Sequence, residues 1–123
     1  MADLGTVTIT EETFSHVKKI KFDWTSDADG KATKETAESY TGQIVRLVTV
    51  PGAAPNAPTA LYDVVVNDED ATDVLMGGGA DRSATDTEQV GAANLGYVAN
   101  DRLSLSITDA GATKKGVAYL YIR

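Results

Sequence analysis

The sequence has no cysteine among its 123 residues. Disulfides, zinc–thiolate centres and thiol nucleophiles are therefore excluded, and folding in a reducing compartment is the natural expectation. It has one histidine, His16, so a three-histidine zinc site is impossible. The neighbouring Ser15 would face the opposite side of a strand, and no G-x-S-x-G elbow exists. His16 reads as an exposed strand-edge residue. No apolar run approaches the ~18 residues that span a membrane. The opening "MADLGTVTITEET" lacks the basic segment and apolar run of a signal peptide, so the chain reads as soluble, with no export address. Cationic residues are also scarce, 11 against 18 acidic ones, for a net charge of −7. Lys18, Lys19, Lys21, Lys31 and Lys34 are interleaved with Asp23, Asp27, Asp29, Glu35 and Glu38. No basic stripe survives to displace counterions, so nucleic acid is not an expected partner, and neither is a membrane.

What is present has a period of two. In "KKIKFDWTS" Ile20, Phe22 and Trp24 share one face while Lys19, Lys21 and Asp23 share the other, which describes a half-buried strand. "RLSLSIT" sets Leu103, Leu105 and Ile107 against Ser104, Ser106 and Thr108. "VAYLYIR" sets Val117, Tyr119 and Tyr121 against Ala118, Leu120 and Ile122. The run Ile44–Val50 is apolar on both faces, as in a covered central strand. Pro51, Pro55 and Pro58 interrupt pairing before "ALYDVVV" resumes it. Asp29-Gly30 signals a tight turn of hairpin type. The last 23 residues read as a hairpin whose final strand holds the C-terminus in a sheet. "ADRSATDTEQVGAANLG" has no period and reads as a long surface loop. In "DEDATDVLMGGG", Asp68 or Asp70 is placed to cap a short helix that Gly77 would stop. The expectation is a single all-β domain over 1–123. It is a compact antiparallel β-sandwich or barrel with at most one short helix near 68–77, and with an N-terminal arm over 1–13.

Chemistry is weakly signalled. "TSDADG" resembles the front of a calcium loop, but the first and twelfth ligand positions fall on Thr25 and Thr36, so a turn is the better reading. Asp68, Glu69, Asp70 and Asp73 place four carboxylates within six residues, yet match no known metal spacing; a water-facing capped turn accounts for them. Gly77, Gly78 and Gly79 are followed by Ala80, Asp81 and Arg82, not by the Lys-Ser/Thr of a phosphate loop. Twelve Asp and six Glu offer many carboxylate pairs, but no aromatic-lined cleft accompanies them. Trp24, Tyr40, Tyr62, Tyr119 and Tyr121 offer a sugar-stacking platform, or more simply core and interface anchors. No catalytic residue, cofactor or metal ligand is assigned.

At "YDVVVNDEDATDVLMGGGADR" the sequence resembles a group of small structural proteins of tailed bacteriophages. "IKFDWTSDADGKAT" and the terminal Tyr-Ile-Arg are similar to the same group. The chain departs from that pattern at Ala71-Thr72, where a glycine is more usual. The resemblance implies a non-enzymatic virion protein of the capsid decoration (cement) type, assembled in the host bacterial cytoplasm and seated on the capsid surface. Its partners would be the major capsid protein and its own copies, as a homotrimer. A tail-associated adaptor and a carbohydrate- or host-surface-binding module are the alternatives. Two contact regions are expected. One is the alternating segment with Thr6, Thr8, Thr10 and Glu12, able to add to a neighbour's sheet. The other is the acidic turn with Asp68, Glu69, Asp70 and Asp73, where charge would steer docking.

Overall fold

The computed structural model describes residues 3–123 and places nine strands in two sheets. The strands are β1 (Thr6–Phe14), β2 (Val17–Thr25), β3 (Ala32–Glu35), β4 (Tyr40–Pro51), β5 (Asp63–Asn67), β6 (Glu88–Gly91), β7 (Tyr97–Asp101), β8 (Ser104–Thr108) and β9 (Lys115–Ile122). The larger sheet runs β1-β2-β9-β4-β6, with β7 also on β4; the smaller runs β3-β8-β5. Every pairing is antiparallel. Each sheet ends in edge strands, so the architecture is an open sandwich and not a closed barrel.

Alternation decides which residues meet between the sheets. The larger sheet sends in Val7, Ile20, Phe22, Trp24, Leu47 and Leu120; the smaller answers with Ala32, Val64, Val66, Leu105 and Ile107. Trp24 and Tyr62 lie at the centre with ring centroids 5.5 Å apart. Two buried hydroxyls tie loops across the core. Ser26 Oγ donates to Gly111 O at 2.6 Å and accepts from Lys114 N–H at 2.8 Å. Thr36 Oγ1 donates to Glu38 O and accepts from Leu103 N–H. β4 is central as expected, but its two-faced apolar run has a second cause. The register shifts between Ile44 and Arg46, so the bulge lets Ile44 and Leu47 face the same core.

Several local readings need correction. The Asp29-Gly30 turn is real, with Gly30 N–H bonded to Asp27 O, but it joins β2 to β3, which lie in different sheets. The C-terminal segment is not a hairpin either: β8 belongs to the smaller sheet, while β9 sits between β2 and β4 in the larger. A turn signal says where the chain reverses, and alternation looks alike in either sheet. The only consecutive strands that pair, among the described residues, are β1 and β2. Their turn is Ser15-His16, with Ser15 at φ 57°, the first-position requirement of a type II′ turn. His16 is therefore an exposed turn residue and not part of a strand edge. Residues 6–13, expected within an arm, pair with β2 along their whole length; Met1 and Ala2 lie outside the described residues. The long loop after residue 80 contains β6 and a 3-10 turn at Ala92–Asn94. The segment 68–77 forms no helix; it is a chain of tight turns.

Candidate functional site

β5 ends at Asn67, and the chain folds straight back along it. Asp68 closes the first loop. Its N–H bonds Thr72 O at 3.0 Å, and its Oδ1 accepts from Asp70 N–H at 2.9 Å and Thr72 N–H at 3.0 Å. Asp73 then anchors the return. Its carboxylate accepts from Val66, Leu75 and Gly77 N–H groups at 3.3, 2.9 and 3.0 Å. Val74 and Leu75 enter the core, and Met76 stays 69% exposed. The returning segment of turns covers the outer edge of β5: Val74 N–H bonds Val66 O, Val64 N–H bonds Gly79 O and Arg82 N–H bonds Tyr62 O, at 2.7–2.8 Å. Gly79 is required by that closeness, since a Cβ there would collide with Val64 O. Gly77 is favoured by its φ of +81°.

The acidic quartet is thus divided. Asp73 is absorbed in backbone capping. Glu69 reaches across the chain and accepts from Arg102 N–H at 2.8 Å. Asp101 returns the contact, accepting from Glu69 N–H at 3.3 Å. Asp68, Asp70 and Asp101 each bring one carboxylate oxygen within 4.8 Å of the others. Asp101 was not legible in the sequence, because only the pairing of β7 with β4 brings it here. Two of these three carboxylates already serve loop amides. Beside them lies a groove of about 640 Å³ over the outer face of the smaller sheet. Its floor is Thr33, Ser104 and Ser106, and its rim carries Glu35, Asp68 and Glu69.

Thr6, Thr8, Thr10 and Glu12 all project from the outer face of β1, opposite Thr25, Asp23, Lys21 and Lys19 of β2. All four are exposed. Glu11 points the other way. Its carboxylate accepts from Ala37 and Glu38 N–H at 3.1 Å and from the Tyr40 hydroxyl at 2.6 Å. Burial, and then this bond to Glu11, push the Tyr40 phenol well above its ordinary range.

The five aromatics singled out in the sequence do not gather into one platform. Trp24, Tyr40 and Tyr62 are buried, which is the core-anchor reading. Tyr119 and Tyr121 do face outward from β9, under Lys19 Nζ at 5.1 and 6.0 Å, with Arg46 over Tyr121 at 5.4 Å. Tyr97, the first residue of β7 and 70% exposed, was missed because its surroundings read as loop. No protein-family profile matches the chain, and no curated protein matches it.

Proposed function

We propose that the chain is a non-enzymatic structural protein of a tailed-phage virion, of the capsid decoration type. It would bind the outside of the head and stabilise the lattice of major capsid subunits. The observation that carries this reading is the open edge of β1, a nine-residue strand whose outer side offers backbone groups to a neighbour's strand. The sequence resemblance supports it, and so does the placement of the acidic residues, which hold loops and rim a groove. A function spread over an edge and a charged rim suits assembly with the major capsid protein and with further copies of the chain. Nucleic acid and membrane have no place in this reading.

Quantitative mass spectrometry and cryo-EM of purified virions test it. Hundreds of head-bound copies per particle are expected. A handful of copies at the tail would instead establish the tail-adaptor reading. Charge reversal at Asp70, which is exposed and whose carboxylate is not tied to a loop amide, should slow head binding at low salt. Asp68 is the poorer choice, because its carboxylate closes the loop.

A further inference from the structure

We propose that β1 is the interface of a two-fold dimer, pairing antiparallel with β1 of a second copy in a register centred on Thr10. The inference rests on the reading that this edge binds a neighbour, and it names that neighbour.

Among the described residues, no hydrogen bond outside the β1–β2 ladder ends on a backbone group of residues 6–14. In a two-residue hairpin the flanking pair, here Phe14–Val17, is the hydrogen-bonded kind. Alternation then turns the N–H and C=O of Val7, Ile9, Glu11 and Thr13 away from β2. The strand contains no proline, glycine or lysine to block an added partner. Its first five residues, Thr-Val-Thr-Ile-Thr, are uncharged and strongly β-forming. The ends carry a second signal. Of the five large apolar side chains exposed among the described residues, two bracket this edge: Leu4 at 39% and Phe14 at 56%.

These features select the occupant. Thr10 is the midpoint of Thr6–Phe14, so only the register centred there pairs the whole strand. It sets Ile9 opposite Glu11 of the second copy, and Val7 opposite Thr13, which are the residues whose free backbone groups must meet. Glu12 falls opposite Thr8, so no two carboxylates face each other. A parallel, in-register pairing would stack Glu11 on Glu11 and Glu12 on Glu12. Phe14 of one copy arrives beside the Leu4 end of the other, at both ends of the seam. The result is an isologous contact, the commonest kind in homo-oligomers, and it joins the two larger sheets into one.

The test uses the purified full chain, so its outcome is separate from that of the virion experiment. Sedimentation velocity at rising concentration should show a monomer–dimer equilibrium. Thr10→Cys should form a disulfide dimer under oxidised glutathione, because directly opposed non-hydrogen-bonded Cα atoms lie about 4.5 Å apart. Thr8→Cys should crosslink at least roughly tenfold more slowly, being offset from its own copy by four residues, about 13 Å. Thr10→Glu and Thr10→Lys should each sediment as monomers with unchanged circular dichroism, and their mixture should recover the dimer. A monomer at every concentration, a trimer, or equal crosslinking at Thr8→Cys and Thr10→Cys would overturn the proposal.

Discussion

β5 and β1 are both edge strands, and the molecule finishes them in opposite ways. β5 is followed at once by a return segment that satisfies its outer side through Val64, Val66 and Tyr62. β1 is nearly twice as long and, among the described residues, receives no such cover. Strand propensity does not distinguish them, since both are rich in β-branched residues. What distinguishes them is the sequence that covering requires: a loop-closing aspartate, a second aspartate to hold three amides, and glycines where backbones touch. The density of acids and glycines after β5 is the chemistry of closing an edge. Its absence around β1 marks the edge left for another chain.

The largest expected effect comes from prising the β5 cover off. Gly79→Ala forces a methyl group into Val64 O and should lower stability by about 3 kcal/mol, read as a shift in urea midpoint. Gly77→Ala has open space around it and only its positive φ to contend with, so about 1 kcal/mol is expected. If Gly79→Ala proves the milder of the two, the cover is not tightly seated. Next comes Asp73→Ala, which strands three amide donors and should cost about 2 kcal/mol. Asp73→Asn keeps one acceptor oxygen and should recover part of that loss.

The same contrast explains what could be read in the sequence. The inward residues of β2 and β8 were legible because a strict apolar–polar period of two survives burial; Ile20, Phe22 and Trp24 are all fully buried. The sheet to which a strand belongs was not legible. Asp29-Gly30 and the 109–114 turn reverse the chain, but the following strand crosses to the other sheet, and nothing local records that. The β1–β2 hairpin was hidden because its turn uses Ser15-His16 and no glycine or asparagine. β6 and β7 were hidden because β4 specifies them through pairing more than their own patterns do. Of the acidic site, the four neighbours in sequence were visible, yet their sorting was not. Asp73 turns toward backbone amides and Asp101 joins from 31 residues beyond Asp70, both consequences of tertiary placement.

β1 is also tethered through Glu11, bonded to the Tyr40 hydroxyl and two amides. It makes a pH prediction. The folded-state pKa of Tyr40 is raised, chiefly by burial and then by Glu11; burial raises that of Tyr62 as well. The folded state therefore holds these protons more tightly than the unfolded chain does. Their contribution to stability is complete below the ordinary tyrosine value of about 10 and declines as pH rises beyond it. Denaturant midpoints should be level with respect to these two groups between about pH 7 and 9, and fall above about 10. Tyr40→Phe should start lower at neutral pH, by about 1 kcal/mol for the lost hydrogen bond, and show a shallower alkaline decline. An unchanged alkaline slope would mean that Tyr40 is not the group being titrated.

The smallest effect concerns the loop that begins the β5 cover. Asp68–Thr72 repeats the bonding of Asp27–Lys31. In each, the first residue's N–H bonds the fifth residue's carbonyl, and its Oδ1 accepts from the third and fifth N–H groups. The fourth residue has positive φ in both, Gly30 at 78° and Ala71 at 60°. Alanine is strained there, while glycine gives up more freedom on folding, so Ala71→Gly should stabilise by only about 0.5 kcal/mol. Gly30→Ala should move the other way and further, because its new Cβ would also meet Gly111 N at 2.8 Å. Thermal unfolding of the two variants therefore separates conformational strain from close contact within one loop design. A destabilising Ala71→Gly would show that the Ala71 methyl group makes a contact that outweighs its backbone strain.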